Sequence, residues 1–162
     1  MKILYIALLP SLLYACSGSD MTYPLITDLG VPNPIDCQVY HRGEDIKFCY
    51  VFTDDTELGN FNIEIHNNFD HHTHGTSSAE CEDHDEHDEE DHDEHEHDEE
   101  EASGHWVFSQ DYAIPEGQTT YEANLDIHIP GDIEPGDYHF MIRLTDAAGW
   151  QQLKAMGIKV TE

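Results

Sequence analysis

Basic residues are what this chain lacks most: six Lys and Arg stand against 35 Asp and Glu in 162 residues, a formal charge of −29. That balance makes nucleic acid and anionic lipid headgroups poor partners, because phosphate contact relies on Lys and Arg. Long apolar runs are also missing. The longest, Ile3 to Leu13, falls short of the roughly 20 residues a membrane-spanning helix needs. No Gly-x-Ser-x-Gly elbow, Gly-rich phosphate loop or His-Glu-x-x-His pair occurs, and Ser77, Ser78, Ser103 and Ser109 fall in linkers or at strand ends. The common signatures of hydrolases, nucleotide binders and zinc proteases are therefore absent, and the chain reads as non-enzymatic.

What is present begins with an export signal. Lys2, the apolar stretch and the small Ala15 before Cys16 have the order of a secretory signal over residues 1–15. Leu13-Tyr14-Ala15-Cys16 resembles a bacterial lipobox, which makes Cys16 the lipidated residue and 16–24, with Ser17-Gly18-Ser19-Asp20, a flexible tether. The expected location is the cell envelope, anchored by lipid to a bacterial membrane on the periplasmic or outer-membrane side. Export implies an oxidising compartment, where cysteines pair. Cys37 and Cys49 lie six residues on either side of Gly43. A hairpin centred there sets them opposite each other, close enough to bridge. The expected disulfide is Cys37–Cys49, with Cys81 left as a single thiol.

From residue 25 to 162 the pattern is that of strands. Ile46, Phe48, Tyr50 and Phe52 alternate with other residues, as do Phe61, Ile63 and Ile65. The same holds for Tyr121 to Ile129 and for Tyr138, Phe140, Ile142 and Leu144. Period two with Gly, Pro and Asp punctuation predicts half-buried antiparallel strands. Trp106-Val107-Phe108 and Leu153 to Val160 add two more, and Trp106 and Trp150 are expected in the core or at its rim. Pro135-Gly136-Asp137-Tyr138-His139-Phe140 has the arrangement of a tyrosine corner. The fold class expected is all-β: an immunoglobulin-like antiparallel β-sandwich of about seven strands, with a long disordered His/acid-rich loop at 67–104 inserted between two of them. Without leader and loop the chain is close to the roughly 100 residues such a sandwich takes.

Three steps carry a resemblance. Ile63-Glu64-Ile65-His66, Asp126 to Pro130, and Pro135 to Phe140 followed by Thr145-Asp146-Ala147-Ala148-Gly149 resemble a family of Bacteroidota lipoproteins with a single immunoglobulin-like domain of unknown function. The resemblance covers roughly residues 23–161 apart from the acidic run. It implies a lipoprotein and a β-sandwich and supplies no activity.

Chemistry concentrates in the loop. Residues 80–101 hold 16 acids and no base, and Asp-His-Asp-Glu-His occurs at 83–87 and again at 91–95. Ten of the 13 histidines fall between 66 and 105: His66, His71, His72, His74, His84, His87, His92, His95, His97 and His105. With little apolar surface to offset ordering entropy, and with like charges at every spacing, the run should not fold without a ligand. Imidazole suits Zn²⁺, Cu²⁺ and Ni²⁺, and carboxylates add donors. No Asp-x-Asp-x-Asp-Gly loop of the EF-hand kind is present. The expected ligand is thus a transition metal, Zn²⁺ first, with Cu²⁺ or Ni²⁺ as alternatives.

Two other readings stand beside it. One is a solvated charge run with no ligand. The other is a pH switch, weakened because protonating all five histidines of 80–101 still leaves that stretch strongly negative. A more ordered site is expected where loop meets sandwich. The strand ending at His66 should run antiparallel beside the one holding His139, with both rings facing outward. His71, His72, His74 or His105 would complete the site, with Glu64 behind it. His128 belongs on the other sheet or its edge, and His41 in a turn needs no role. The functional expectation is metal acquisition, delivery or buffering. The alternative is a non-enzymatic envelope domain that binds a protein or glycan partner.

Overall fold

The computed structural model describes residues 20–67 and 104–162. The expected leader, Cys16, Cys81 and the His/acid run fall outside the described residues. Eight strands follow in order: β1 (Leu25–Thr27), β2 (Gln38–His41), β3 (Asp45–Thr53), β4 (Leu58–Asn67), β5 (Phe108–Ala113), β6 (Thr120–His128), β7 (Gly136–Asp146) and β8 (Gln151–Thr161). They form a three-stranded sheet, β1-β3-β6, and a five-stranded sheet, β2-β8-β7-β4-β5. No helix occurs among the described residues. The all-β sandwich expected from the alternation is the fold.

The alternating apolar residues point inward as the period requires. Ile46, Phe48, Tyr50 and Phe52 of β3 are buried, facing Phe61, Ile63 and Ile65 of β4 and Tyr138, Phe140, Ile142 and Leu144 of β7. Phe48 joins the two layers, its ring 6.1 Å from those of both Phe61 and Phe140. Trp106 is buried and meets Tyr138 edge-on at 5.9 Å. The hydroxyl of Tyr138 donates to the carbonyl of Glu134 at 2.6 Å, closing the tyrosine corner.

Two expectations need correction. The sheets are not wholly antiparallel, because β2 runs parallel to β8, with Tyr40 opposite Val160. The strands also number eight rather than about seven, because the residues ahead of β3 supply two, β1 pairing with β3 in one sheet and β2 with β8 in the other. With β2 and β3 in different sheets, the expected hairpin centred on Gly43 is absent.

The Cys37–Cys49 disulfide does not form. Cys49 is a free thiol, while Cys37 is disulfide-bonded to a cysteine outside the described residues. The physical reason lies in the turn at 41–44, which carries the chain from one sheet to the other rather than back along the same one. Cys37 sits at φ 58°, in the left-handed region of a turn residue rather than in a strand. Its amide donates to the carbonyl of Gly157 on β8 at 2.8 Å, whereas Cys49 lies on β3 opposite Asn124 of β6.

Candidate metal centre

β4 and β7 form a nine-pair ladder running from Leu58↔Asp146 at one end to Asn67↔Tyr138 at the other. Near the second end, His66 stands directly opposite His139, their ring centroids 5.4 Å apart. His66 alternates with the inward-facing Ile65, so its ring projects from the outer face of the five-stranded sheet. Glu64, two residues earlier on that face, brings Oε1 to 3.5 Å from His66 Nδ1. A carboxylate beside an imidazole, once it accepts the ring N–H, orients the ring and raises its basicity as a ligand, and Glu64 is within a short side-chain adjustment of that role. Across β7 the neighbour of His139 on β8 is Gly157, which puts no side chain beside the ring.

One expectation about this pair is corrected. His139 does not stand exposed; only 1% of it reaches solvent. The enclosure is local: Met141, two residues on along the same outer row of β7, is buried as well, while Arg143 beyond it is exposed.

The remaining histidines divide clearly. His105 pairs its Nδ1 with Asn67 Nδ2 at 3.3 Å and its Nε2 with Glu134 at 3.4 Å. Asn67 faces opposite to His66, so His105 belongs to the sandwich end rather than to the His66–His139 face. His128 lies on the three-stranded sheet, as expected, and contacts Asp45 at 3.0 Å. His41 contacts the carbonyl of Glu162 at 2.9 Å. His71, His72, His74, His84, His87, His92, His95 and His97 lie outside the described residues.

Sequence reasoning missed the opposite end of the ladder. There Asp20, Asp54 and Asp146 each bring a carboxylate oxygen within 4.8 Å of the others, the one such group of three among the described residues. They arrive from the segment before β1, the β3–β4 turn and the end of β7. Each uses part of its carboxylate to fold its own loop. Asp54 Oδ2 accepts from the amides of Thr56 at 2.8 Å and Glu57 at 2.7 Å. Asp146 Oδ1 accepts from the Trp150 amide at 2.8 Å. Asp20 Oδ1 accepts from the amide and hydroxyl of Thr22, bonds that hold its carboxyl below the usual carboxylate value. Asp54-Asp55-Thr56-Glu57 and Asp146-Ala147-Ala148-Gly149 have the composition of turns, the one signal the sequence offers for them. Their meeting is a product of the fold alone.

Gly59 makes the approach possible. The β4 register shifts between Leu58 and Asn60, and a Cβ on Gly59 would sit 2.8 Å from the Asp146 carbonyl oxygen.

The chain matches a family described as a domain of unknown function, DUF4625, over residues 14–90 and 84–161. It belongs to that family. The first match spans β1 to β4 and the second β5 to β8, so the DUF4625 pattern is carried by the strands on both sides of the acidic run. No curated protein and no solved structure matches the chain. The DUF4625 description brings no activity with it, and function rests on the side chains.

Proposed function

We propose that this is an exported, lipid-anchored protein that binds a divalent transition metal, Zn²⁺ above all, for acquisition, delivery or buffering. The observation that carries the reading is the facing pair His66–His139 at 5.4 Å, on the strand from which the His/acid segment departs. Two imidazoles bound to one tetrahedral zinc have centroids roughly 5 Å apart, given Zn–N bonds of about 2.0–2.1 Å. The pair therefore needs little movement to share an ion, and Glu64 supports one of its rings.

The segment between β4 and β5 supplies the rest. Its negative field concentrates divalent cations. Its histidines and carboxylates bind them with proton release, so capture weakens as the solution turns acidic. Leu13-Tyr14-Ala15-Cys16 supports the anchor, and with Cys16 lipidated, Cys81 is the cysteine left to bond Cys37. That bond would draw the segment to the edge of β8 beside Gly157, the residue across from His139.

A second reading, a domain that docks an envelope protein or glycan, is favoured by the exposed apolar residues Met21, Tyr23, Leu29, Val31, Ile35 and Val39. Calorimetric titration of Zn²⁺ separates the two. The full chain should bind zinc with sub-micromolar affinity, His66→Ala or His139→Ala should remove the tightest site, and deleting 68–103 should remove the weaker ones. No heat from the full chain would overturn the metal reading in favour of docking. Unchanged binding in both His variants would overturn the ordered pair.

A further inference from the structure

The three aspartates at the opposite end of the β4–β7 ladder form a site independent of the histidines. We infer that Asp20, Asp54 and Asp146 bind a hard divalent cation, Ca²⁺, that fastens the segment entering the domain to the β3–β4 and β7–β8 turns.

Two observations carry this. The first is convergence: three carboxylate oxygens within 4.8 Å of one another, on parts of the chain far apart in sequence. Three atoms so placed lie at most about 2.8 Å from a common centre, so an ion with calcium–oxygen bonds of about 2.3–2.6 Å reaches all three after adjustments of a few tenths of an ångström. The second is an orphaned acceptor. Asp146 is 3% exposed, and its Oδ2 is buried with no hydrogen-bond partner. Asp54 Oδ1 is in the same state. Leaving a charged oxygen desolvated and unpaired is costly, and such atoms in native structures mark a missing partner such as an ion or water.

A protein cation does not fill the role. Among the described residues, the lysines and arginines in ion pairs meet Asp28, Asp45, Asp126 and Glu162, and none meets these three. The donor set fixes the class of ion. Carboxylate oxygens with no imidazole or thiolate suit hard ions such as Ca²⁺ and Mg²⁺ and offer zinc or copper none of their preferred nitrogen or sulfur donors. Mg²⁺ demands a tighter octahedron at 2.0–2.1 Å, whose opposite ligands lie only about 4 Å apart, and it sheds water reluctantly. Calcium tolerates a loose set of three carboxylates completed by water.

The cation would act where the chain enters the domain. Asp20 is already held there, since its carbonyl accepts from the Trp150 indole at 3.0 Å, and Trp150 packs edge-on against Tyr23 at 5.0 Å. A bound ion adds a carboxylate bridge to that contact and stiffens the junction between tether and sandwich.

The test is thermal unfolding of the full chain, stripped of metal and then titrated with Ca²⁺, combined with terbium luminescence sensitised by Trp150. Extracellular calcium modules bind at about 10⁻⁴–10⁻³ M, and half-saturation in or below that range is expected. Calcium should raise the wild-type Tm by several degrees and displace sensitised Tb³⁺. Asp146→Asn and Asp54→Asn should lose at least tenfold in affinity while unfolding, without calcium, no earlier than wild type, because each relieves repulsion among three acids. Asp20→Asn, altering the entering segment alone, should lose affinity in a protein certain to keep its core. His66→Gln should keep the whole calcium response, so failure of the zinc reading leaves this result standing. A wild-type Tm indifferent to calcium would overturn the inference. So would an equal calcium response in all three Asn variants, which would assign it to the acidic run.

Discussion

Gly59→Ala is the sharpest probe of the ladder end on which the aspartates meet. A Cβ at position 59 would lie 2.8 Å from the Asp146 carbonyl oxygen and 3.0 Å from both the Asp146 carbonyl carbon and the Thr145 oxygen. Ordinary contacts between such atoms begin near 3.4–3.5 Å, so β4 and β7 must separate locally by about half an ångström. All three atoms are backbone on the central strand of its sheet, and no side chain can swing aside. Overpacking of this kind costs about 1–3 kcal/mol. For a domain of about 100 residues that lowers Tm by roughly 5–15 °C. The assay is thermal unfolding followed by circular dichroism on the full chain, with Gly131→Ala as control. A Cβ at 131 meets nothing within 4 Å, and its unfolding temperature should stay within about 2 °C of wild type. If Gly59→Ala unfolds with the control, the close approach of Gly59 to β7 is wrong, and with it the account of how Asp146 is brought to Asp54.

Two other outcomes follow from burial and from the cysteines. Burial pushes the pKa of the Tyr40 phenol up from the ordinary value near 10 to about 12, and burial likewise raises that of Tyr50, whose hydroxyl donates to the Pro34 carbonyl at 2.5 Å. The unfolded chain ionises these groups near pH 10 and the folded one resists. Stability is therefore full below pH 10 and falls as pH rises through 12, and a urea midpoint that stays flat across that range would refute it. Peptide mapping of the oxidised, unreduced protein should find Cys37 joined to Cys81 and Cys49 open to alkylation after unfolding. A Cys37–Cys49 or Cys37–Cys16 peptide would remove the proposed tie between the His/acid segment and β8.

The sequence disclosed whatever depends on local period and known strand order. Alternation at Phe61, Ile63 and Ile65 and at Tyr138, Phe140 and Ile142 set the inner faces, and the tyrosine corner fixed the start of β7. From these the pairing of His66 with His139 followed, and the register bears it out. What failed was reasoning from symmetry about a turn. Cys37 and Cys49 are equidistant from Gly43, yet the turn joins two sheets, and nothing within five residues of it distinguishes that from a hairpin. His139 falls on the expected outer face, but its burial, which Arg143 on the same row does not share, is a tertiary property that strand period cannot show. The aspartate group was invisible for the same reason. Asp20, Asp54 and Asp146 sit in unrelated turn signals, and only the crossing of β3, β7 and the entering segment at one end of the sandwich makes them neighbours.

The two ends of the β4–β7 ladder can serve different ions without interfering. His139 and Asp146 are seven residues apart on β7, about 23 Å at 3.3 Å per residue. Two doubly charged ions at that distance in water repel by less than about 1 kcal/mol before screening, and with a Debye length near 8 Å the residue is below about 0.1 kcal/mol. Selectivity then rests on donor chemistry alone. On the two proposals above, imidazoles at one end would take a borderline ion and carboxylates at the other a hard one. A nitrogen-donor competitor should therefore draw off the borderline ion alone, so that the domain would release one metal without loosening, at the aspartate end, its hold on the entering segment.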